Sequence, residues 1–167
     1  MIDKLSEVTD AALTISLHAP NDKLRNDLVP LNKKYPIKKL LDAVTRYVEK
    51  CGDQRKTTRE YILINKVNDS LDNAKELAEI LRDIPSKINL IPFNPFPGTE
   101  YKRPSNMRVE TFKKALQREG YITTVRTTRG EDIMAACGQL VGKVNDKTRR
   151  KERSQNKGKR ISTKLIG

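Results

Sequence analysis

The sequence has few of the residues that hold small secreted or metal-binding domains together. Its 167 residues include two cysteines, one histidine and no tryptophan. Two cysteines are too few for a disulfide scaffold, and one histidine leaves no ligand set for a structural zinc ion. No apolar run is long enough to span a bilayer, and the opening residues lack the pattern of a secretory signal. We therefore expect a cytoplasmic, monomeric protein without membrane attachment.

Positive charge is what the sequence has in excess. The formal net charge is +13 at pH 7. Between Lys143 and Lys164, ten lysines and arginines stand against two acidic residues. Such a segment is typical of a flexible tail that binds a polyanion, most commonly a nucleic acid. We therefore divide the chain into a globular part, 1–142, and a basic tail, 143–167, that contacts nucleic acid. A tail that only keeps the protein soluble is the alternative.

Short apolar runs alternate with amphipathic stretches through the globular part. Strands are predicted over 11–17, 57–65, 87–93 and 121–128, and helices over 21–28, 36–52, 70–84 and 107–119. This order is typical of parallel strands joined by helical crossovers. The sequence therefore predicts an α/β fold with about four parallel strands, enough for part of a barrel but not for a closed one.

Polar and turn-forming residues follow the predicted strands. They are Ser16, His18, Asn65, Asn94, Gly98, Arg129 and Gly130. In α/β folds, ligands bind where parallel strands end, so we expect these residues to line one edge of the sheet. Asn94 lies in NPFPG, whose two prolines stiffen a loop that could present the amide to a ligand. The residues alone leave a purely structural role open for this loop and for His18.

Cys137 lies among small residues in the segment DIMAACGQL. Small neighbours let a ligand approach the thiol closely, whereas the alternative is a buried cysteine that serves only packing. Arg126, Arg129 and Lys143 flank this segment and are candidates for phosphate contacts, with plain surface charges as the alternative. Cys51 has no comparable neighbourhood, and we interpret it as incidental.

Four stretches together resemble the RlmN family of bacterial radical-SAM methyltransferases, which modify adenine C2 in 23S rRNA and in tRNA. They are SLHAPND (16–22), VPLNKKYPI (29–37), NLIPFNPFPG (89–98) and TVRTTRGEDIMAACGQL (124–140). The resemblance spans nearly the whole chain and leaves only the tail loosely matched. It implies a partial (βα) barrel of the radical-SAM type, followed by the basic tail.

The resemblance also implies roles for individual residues. In this family the cysteine of AACGQL receives a methyl group from one S-adenosylmethionine (SAM). A radical from a second SAM, cleaved at a 4Fe–4S cluster, activates that methyl group for addition to adenine C2. Cys137 would then be the methyl-carrying residue, and Ser16, Leu17, His18 and Asn94 would contact SAM. The residues expected to contact RNA are Arg126, Arg129, Lys143, Arg149 and Arg150.

One departure from the family pattern limits what this chain is expected to do alone. Radical-SAM proteins hold the cluster with a CxxxCxxC motif, which this sequence lacks, and Cys51 cannot replace it. We therefore expect this chain to be a C-terminal portion that binds no cluster and is inactive by itself. Two alternatives remain: the related adenine-C8 methyltransferase, and a non-catalytic RNA-binding half-barrel.

Overall fold

A computed structural model describes residues 2–9, 11–51 and 57–126. Four strands form one sheet in the order β1-β2-β3-β4, and every neighbouring pair is parallel. The strands are β1 (Thr14–Ser16), β2 (Thr57–Leu63), β3 (Ser86–Pro92) and β4 (Ile122–Val125). The predicted α/β class and the four parallel strands are confirmed. The boundary at 142 and the tail lie outside the described residues.

One short helix precedes the sheet, and the other helices connect its strands as crossovers. The helices are α1 (Ile2–Leu5), α2 (Asp22–Leu28), α3 (Ile37–Lys50), α4 (Leu71–Ile80) and α5 (Asn106–Arg118), with a 3-10 helix at Pro30–Lys33. Helix α1 and the 3-10 helix were not predicted. The prediction for α4 was too long, because the chain after Ile80 turns through i→i+3 hydrogen bonds that end at Ile84. No helix in the described part of the chain is long and apolar enough to cross a membrane.

Side chains at the helix starts explain where three of these helices begin. The Asn21 side chain accepts a hydrogen bond from the Leu24 amide at the start of α2. Ser70 and Asn73 form a reciprocal capping box at the start of α4. The Ser105 hydroxyl accepts from the amide of Arg108 at the start of α5. Each cap satisfies an amide that has no partner within the helix, so these boundaries follow from the sequence.

The two faces of the sheet have different surroundings. One face packs against α3, α4 and α5 in a continuous apolar core. Its buried members include Leu17, Leu41, Tyr61, Leu63, Leu77, Leu81, Ile88, Leu90, Phe112 and Leu116. The rings of Tyr61 and Phe112 lie 5.4 Å apart. The opposite face carries the partly exposed Glu60 and Asn89 beside a second, smaller apolar cluster, which includes Leu28, Ile62 and Phe93.

Arg59 is an exception within the buried face. It is 0% exposed, and its Nε and Nη2 atoms have no hydrogen-bond partner in the described structure. Its Nη1 atom lies 3.5 Å from the carbonyl oxygen of Thr58. Burial lowers the pKa of Arg59 to about 10, because a charged guanidinium loses its hydration there.

Candidate functional site at the carboxyl edge of the sheet

The carboxyl edge, where the parallel strands end, brings together the predicted residues of 16–18. Ser16 is the last residue of β1 and is exposed. The amides of Leu17 and His18 both donate to the carbonyl oxygen of Glu60 on β2, at 3.0 and 3.3 Å. Leu17 is 0% exposed and belongs to the helix-side core. The Ser16 side chain is therefore exposed at the edge, whereas Leu17 anchors the edge in the core.

The backbone at His18 is held in an unusual conformation. Its φ of 62° lies in the left-handed region, which non-glycine residues rarely adopt. The ring is buried, and its Nδ1 accepts a hydrogen bond of 3.2 Å from the amide of Ile62. Burial, and then the nearby positive charge of Arg25, lower the pKa of His18 to about 4. The imidazole is therefore neutral at pH 7, and with Nδ1 accepting, its proton is on Nε2.

The side chain of Arg25 holds the backbone of this edge in place through hydrogen bonds. It is 5% exposed, and its guanidinium donates to the carbonyl oxygens of Leu17 at 2.9 Å and Ser16 at 3.2 Å. The same group donates at 2.6 Å to the side chain of Asn32, which is itself buried. Asn32 donates onward to the carboxylate of Asp22 at 2.9 Å. The stretches SLHAPND and VPLNKKYPI are thereby joined into one hydrogen-bonded unit.

Asn68 holds the same edge from the side of β2. Its buried amide donates to the carbonyl oxygens of His18 at 2.9 Å and Ile62 at 2.6 Å. Its side-chain oxygen accepts from the amide of Ile64 at 2.7 Å. The Tyr61 hydroxyl donates to the Asn68 carbonyl at 2.9 Å. The ends of β1 and β2 are therefore tied together by a single side chain.

A row of polar side chains crosses this second face of the sheet, opposite α3, α4 and α5, in register. The row consists of Ser16, Glu60, Asn89 and Thr124, one from each strand. The Ser16 hydroxyl lies 3.5 Å from the Glu60 carboxylate, and the Thr124 hydroxyl lies 3.2 Å from the Asn89 side-chain oxygen. Only Ser16 was predicted. The other three alternate with buried residues in their strands, but the register that aligns them is a property of the folded sheet.

Asn94 follows β3 in the loop that the two prolines stiffen, and it is exposed. The preceding Phe93 is buried and contacts the rings of Phe96 and Tyr101, with centroids 6.1 and 6.0 Å apart. Gly98 turns the loop with a φ of 87°. The aromatic cluster thus fixes the base of the loop and leaves the Asn94 amide at the surface.

The remaining predicted residues lie at or beyond the end of β4. Arg126 directly follows β4, is exposed, and donates its amide to the Leu90 carbonyl oxygen at 2.8 Å. Cys137, Arg129, Lys143, Arg149 and Arg150 lie outside the described residues. Their predicted roles stay predictions.

The described residues do not fit an iron–sulfur cluster. Cys51 is the free cysteine among them, partly exposed just after α3. Within 2–9, 11–51 and 57–126, no three His, Cys, Asp or Glu side chains are grouped so that they could hold a metal ion.

Comparisons with known proteins agree on one family. The Marinobacter nauticus protein named dual-specificity RNA methyltransferase RlmN is 59% identical over 152 residues, 91% of this chain and 41% of that protein. The Saccharophagus degradans protein of the same name is 61% identical over 153 residues, 91% of this chain and 38% of that protein. The chain thus spans about two fifths of the length of these relatives. A comparison with models of protein families gives no match.

Solved structures show the same relationship in three dimensions. A radical SAM methyltransferase from Sphaerobacter thermophilus superposes with a TM-score of 0.77 and 51% identity, over 83% of this chain and 40% of that one. A domain of a pyruvate-formate lyase-activating enzyme from Bacteroides vulgatus gives a TM-score of 0.59 at 21% identity, which shows a shared fold. By sequence and by fold, the chain is therefore a portion of an RlmN-type protein, in the radical-SAM methyltransferase family.

Proposed function

We propose that the protein of which this chain is a portion methylates C2 of an adenine in 23S rRNA and tRNA, with SAM as the methyl donor. The observation that carries the proposal is the carboxyl edge at 16–18, which matches the family's SAM-contacting stretch. Buried Arg25 and Asn68 hold that edge rigidly. The relatives that are 59% and 61% identical carry the name of RNA methyltransferases, which agrees with this role.

The residues at the edge support different parts of SAM binding. The Ser16 hydroxyl and the Asn94 amide are the exposed groups, and both can hydrogen-bond the polar parts of a nucleoside. Leu17 and His18 are buried, so they act by holding the shape of the edge, and His18 does so through its bond to Ile62. Because these groups are fixed before the ligand arrives, little conformational entropy is lost on binding.

Cys137 is the proposed methyl carrier. SAM, when bound, supplies the methyl group and the radical chemistry of the cofactor. A thiolate can accept a methyl group as a nucleophile, and sulfur can later leave. Adenine C2 is electron-poor and cannot itself attack SAM, which is why a carrier residue is needed. The sequence of this chain contains no CxxxCxxC motif that could bind the cluster.

The RNA substrate must present its adenine out of the base stack to reach such a site. Arg126 lies at the end of β4, where it can contact a phosphate. Arg129, Lys143, Arg149 and Arg150 are proposed to extend this contact along the RNA backbone. These positive charges would position the nucleotide for methyl transfer from Cys137.

The test uses a chimera in which this chain replaces the matching portion of the Marinobacter nauticus relative. After anaerobic reconstitution with iron and sulfide, the chimera is incubated with SAM and 23S rRNA, and nucleosides are identified by mass spectrometry against standards. We expect 2-methyladenosine. The Cys137→Ala variant should form none while still cleaving SAM, whereas Cys51→Ala, the matched control, should remain active.

Each alternative has its own outcome in this experiment. Formation of 8-methyladenosine would assign the chain to the adenine-C8 enzymes. Binding of RNA without any methylated product would favour a non-catalytic RNA-binding half-barrel. Methylation that survives Cys137→Ala would contradict the carrier role of that residue.

A further inference from the structure

Lysines surround an exposed tyrosine between the 3-10 helix and α3. Lys33 and Lys34 precede Tyr35, and Lys38 and Lys39 lie in the first turn of α3. All four lysines are exposed, and the Tyr35 residue is 38% exposed. We call these five residues the lysine–tyrosine surface. Lys33, Lys34 and Tyr35 belong to the matched stretch VPLNKKYPI (29–37), and Lys38 and Lys39 follow it directly. No role in SAM binding or methyl transfer is proposed for this stretch.

Most of the charge on this surface has no acidic partner. Lys38 forms an ion pair with Asp42, with 3.0 Å between Nζ and Oδ2. For Lys33, Lys34 and Lys39, no carboxylate oxygen in the described part of the chain lies within the 4.0 Å of a salt bridge. Three positive charges are therefore available to an external anion.

Two of these three lysines have their ammonium groups close to the ring of Tyr35. The Nζ atoms of Lys34 and Lys39 lie 5.4 and 5.5 Å from the centroid of the Tyr35 ring. Aromatic rings stack with unpaired bases, and lysines neutralise the phosphates beside them, which is the usual combination in single-strand binding. A phospholipid surface offers anionic headgroups but no planar group to stack on the ring.

The lysine–tyrosine surface adjoins the carboxyl edge. The guanidinium of Arg25 donates to the carbonyl oxygen of Ser16 at 3.2 Å, and the same group lies 3.5 Å from the carbonyl oxygen of Tyr35. The Arg25 guanidinium thus contacts the backbone of the carboxyl edge and the backbone of the lysine–tyrosine surface. The backbone that carries Tyr35 and the backbone of the carboxyl edge are therefore held to each other by one side chain.

We propose that the lysine–tyrosine surface binds a single-stranded segment of the RNA substrate, with phosphates at Lys33, Lys34 and Lys39 and one base stacked on Tyr35. This inference rests on the proposed function, which supplies the RNA. It adds a contact on the folded part of the chain, separate from residues 143–167.

The charge contribution is tested by the salt dependence of RNA binding. The 167-residue chain is titrated against fluorescein-labelled oligoadenylate over a series of salt concentrations, with fluorescence anisotropy as the readout. Replacing Lys33, Lys34 and Lys39 with glutamine should reduce the log–log salt slope by about 2, since each phosphate contact to a single strand contributes roughly 0.7.

A matched control removes the same charge elsewhere. Arg82, Lys114 and Arg118 are exposed, near the ends of α4 and α5, on the side of the sheet where strands begin. Their replacement with glutamine should leave the slope close to that of the unmodified chain. Circular dichroism checks that both triple variants remain folded.

The ring is tested separately from the charge. Tyr35→Leu should weaken oligoadenylate binding about fivefold or more without changing the salt slope, because stacking releases no counterions. Tyr35→Phe should bind as the unmodified chain does. The bond from Arg25 is to the Tyr35 backbone, so neither substitution removes it.

Two results would overturn the inference. One is an equal slope change in the two triple variants. The other is a chain that does not bind oligoadenylate but binds phosphatidylserine vesicles, with that binding lost when Lys33, Lys34 and Lys39 are replaced with glutamine. The assay needs neither SAM nor a cluster, so its outcome is independent of methylation. A chimera that binds RNA through this surface but makes no methyladenosine would contradict the proposed function alone.

Discussion

His18 shows how much one residue at the carboxyl edge depends on its surroundings. Its ring accepts from the Ile62 amide, its carbonyl accepts from Asn68, and its φ is 62°. Such conformations persist only where neighbouring contacts hold them, and they concentrate at functional sites. The sequence placed His18 at the end of a strand, but whether its ring would face solvent or the interior depended on the packing of α2.

The burial of His18 should make the free energy of unfolding depend on pH between about 6.5 and 4. Its pKa is lowered from 6.5 to about 4 in the folded chain, so the unfolded chain takes up the proton first as the pH falls. Stability should be full above pH 6.5 and decline towards pH 4, by about 3 kcal/mol in total. Urea unfolding between pH 7 and 4, with NMR titration of the sole histidine, measures this directly.

The control for this prediction is His18→Asn, which tolerates the left-handed backbone but does not titrate. Its stability should be nearly flat from pH 6.5 to 5, where carboxyl groups remain ionised. An NMR midpoint near 6.5 in the unmodified chain would show that the ring is not buried as described.

Replacing Arg25 should destabilise the chain strongly. Arg25→Met leaves the carbonyl oxygens of Ser16 and Leu17 and the Asn32 side chain without their donor. Unsatisfied buried groups of this kind cost about 3 kcal/mol in total. Arg25→Lys should recover only part of the loss, because an ammonium cannot reproduce the planar fork. The measurement is the urea unfolding midpoint.

Arg46 provides the comparison for Arg25, since it pairs with Asp3 at the surface. Exposed ion pairs contribute little, so Arg46→Met should leave the midpoint almost unchanged. Equal effects of the two substitutions would contradict the account of Arg25 as the group that holds the edge.

At the scale of elements, helices and strands were more predictable than the contacts between them. The helix predicted over 36–52 agrees with α3, and the predicted start at residue 70 agrees with the capping Ser70 of α4. Alignment of Glu60 with Asn89 was not predictable, because helical crossovers leave the register of parallel strands open. Likewise, an arginine is rarely buried without a partner, so the 0% exposure of Arg59 was not predictable from its place in β2.

Asn68 should determine how firmly β1 and β2 are joined. Asn68→Ala removes donors to His18 and Ile62 and the acceptor for the Ile64 amide. We expect a loss of about 2–3 kcal/mol in the free energy of unfolding. Hydrogen exchange of the Ile64 amide should accelerate more than exchange in α5, because the edge opens locally before the whole domain unfolds.

Asn94→Ala is the matched asparagine substitution, on an exposed loop outside this network. It should leave the free energy of unfolding unchanged within error, while reducing SAM affinity in the chimera. If Asn94→Ala destabilised the chain as much as Asn68→Ala, the distinction between a ligand-facing and a structural amide would be wrong.

At the scale of the whole molecule, the described part of the chain is a four-stranded parallel sheet with α3, α4 and α5 packed on one face. A smaller apolar cluster, which includes Leu28 and Ile62, lies on the other face beside the polar row. The chain spans 41% and 38% of the two RlmN relatives, so the activity proposed above is that of a longer protein. Family resemblance in the sequence predicted this membership, while residue spacing alone predicted only an α/β fold with a ligand edge. The carboxyl edge, with its buried supports, gives a physical reason why SLHAPND and VPLNKKYPI occur together.

Direct detection of the methylated cysteine tests the central claim, that Cys137 carries the methyl group to RNA. The chimera is incubated with SAM bearing a trideuterated methyl group and then digested for peptide mass spectrometry. The account predicts one deuterated methyl group on the Cys137 peptide, none on the Cys51 peptide, and loss of the label when RNA substrate is added under reducing, cluster-active conditions. Labelled RNA with an unlabelled Cys137 peptide at every time point, or label on Cys51 instead, would contradict it.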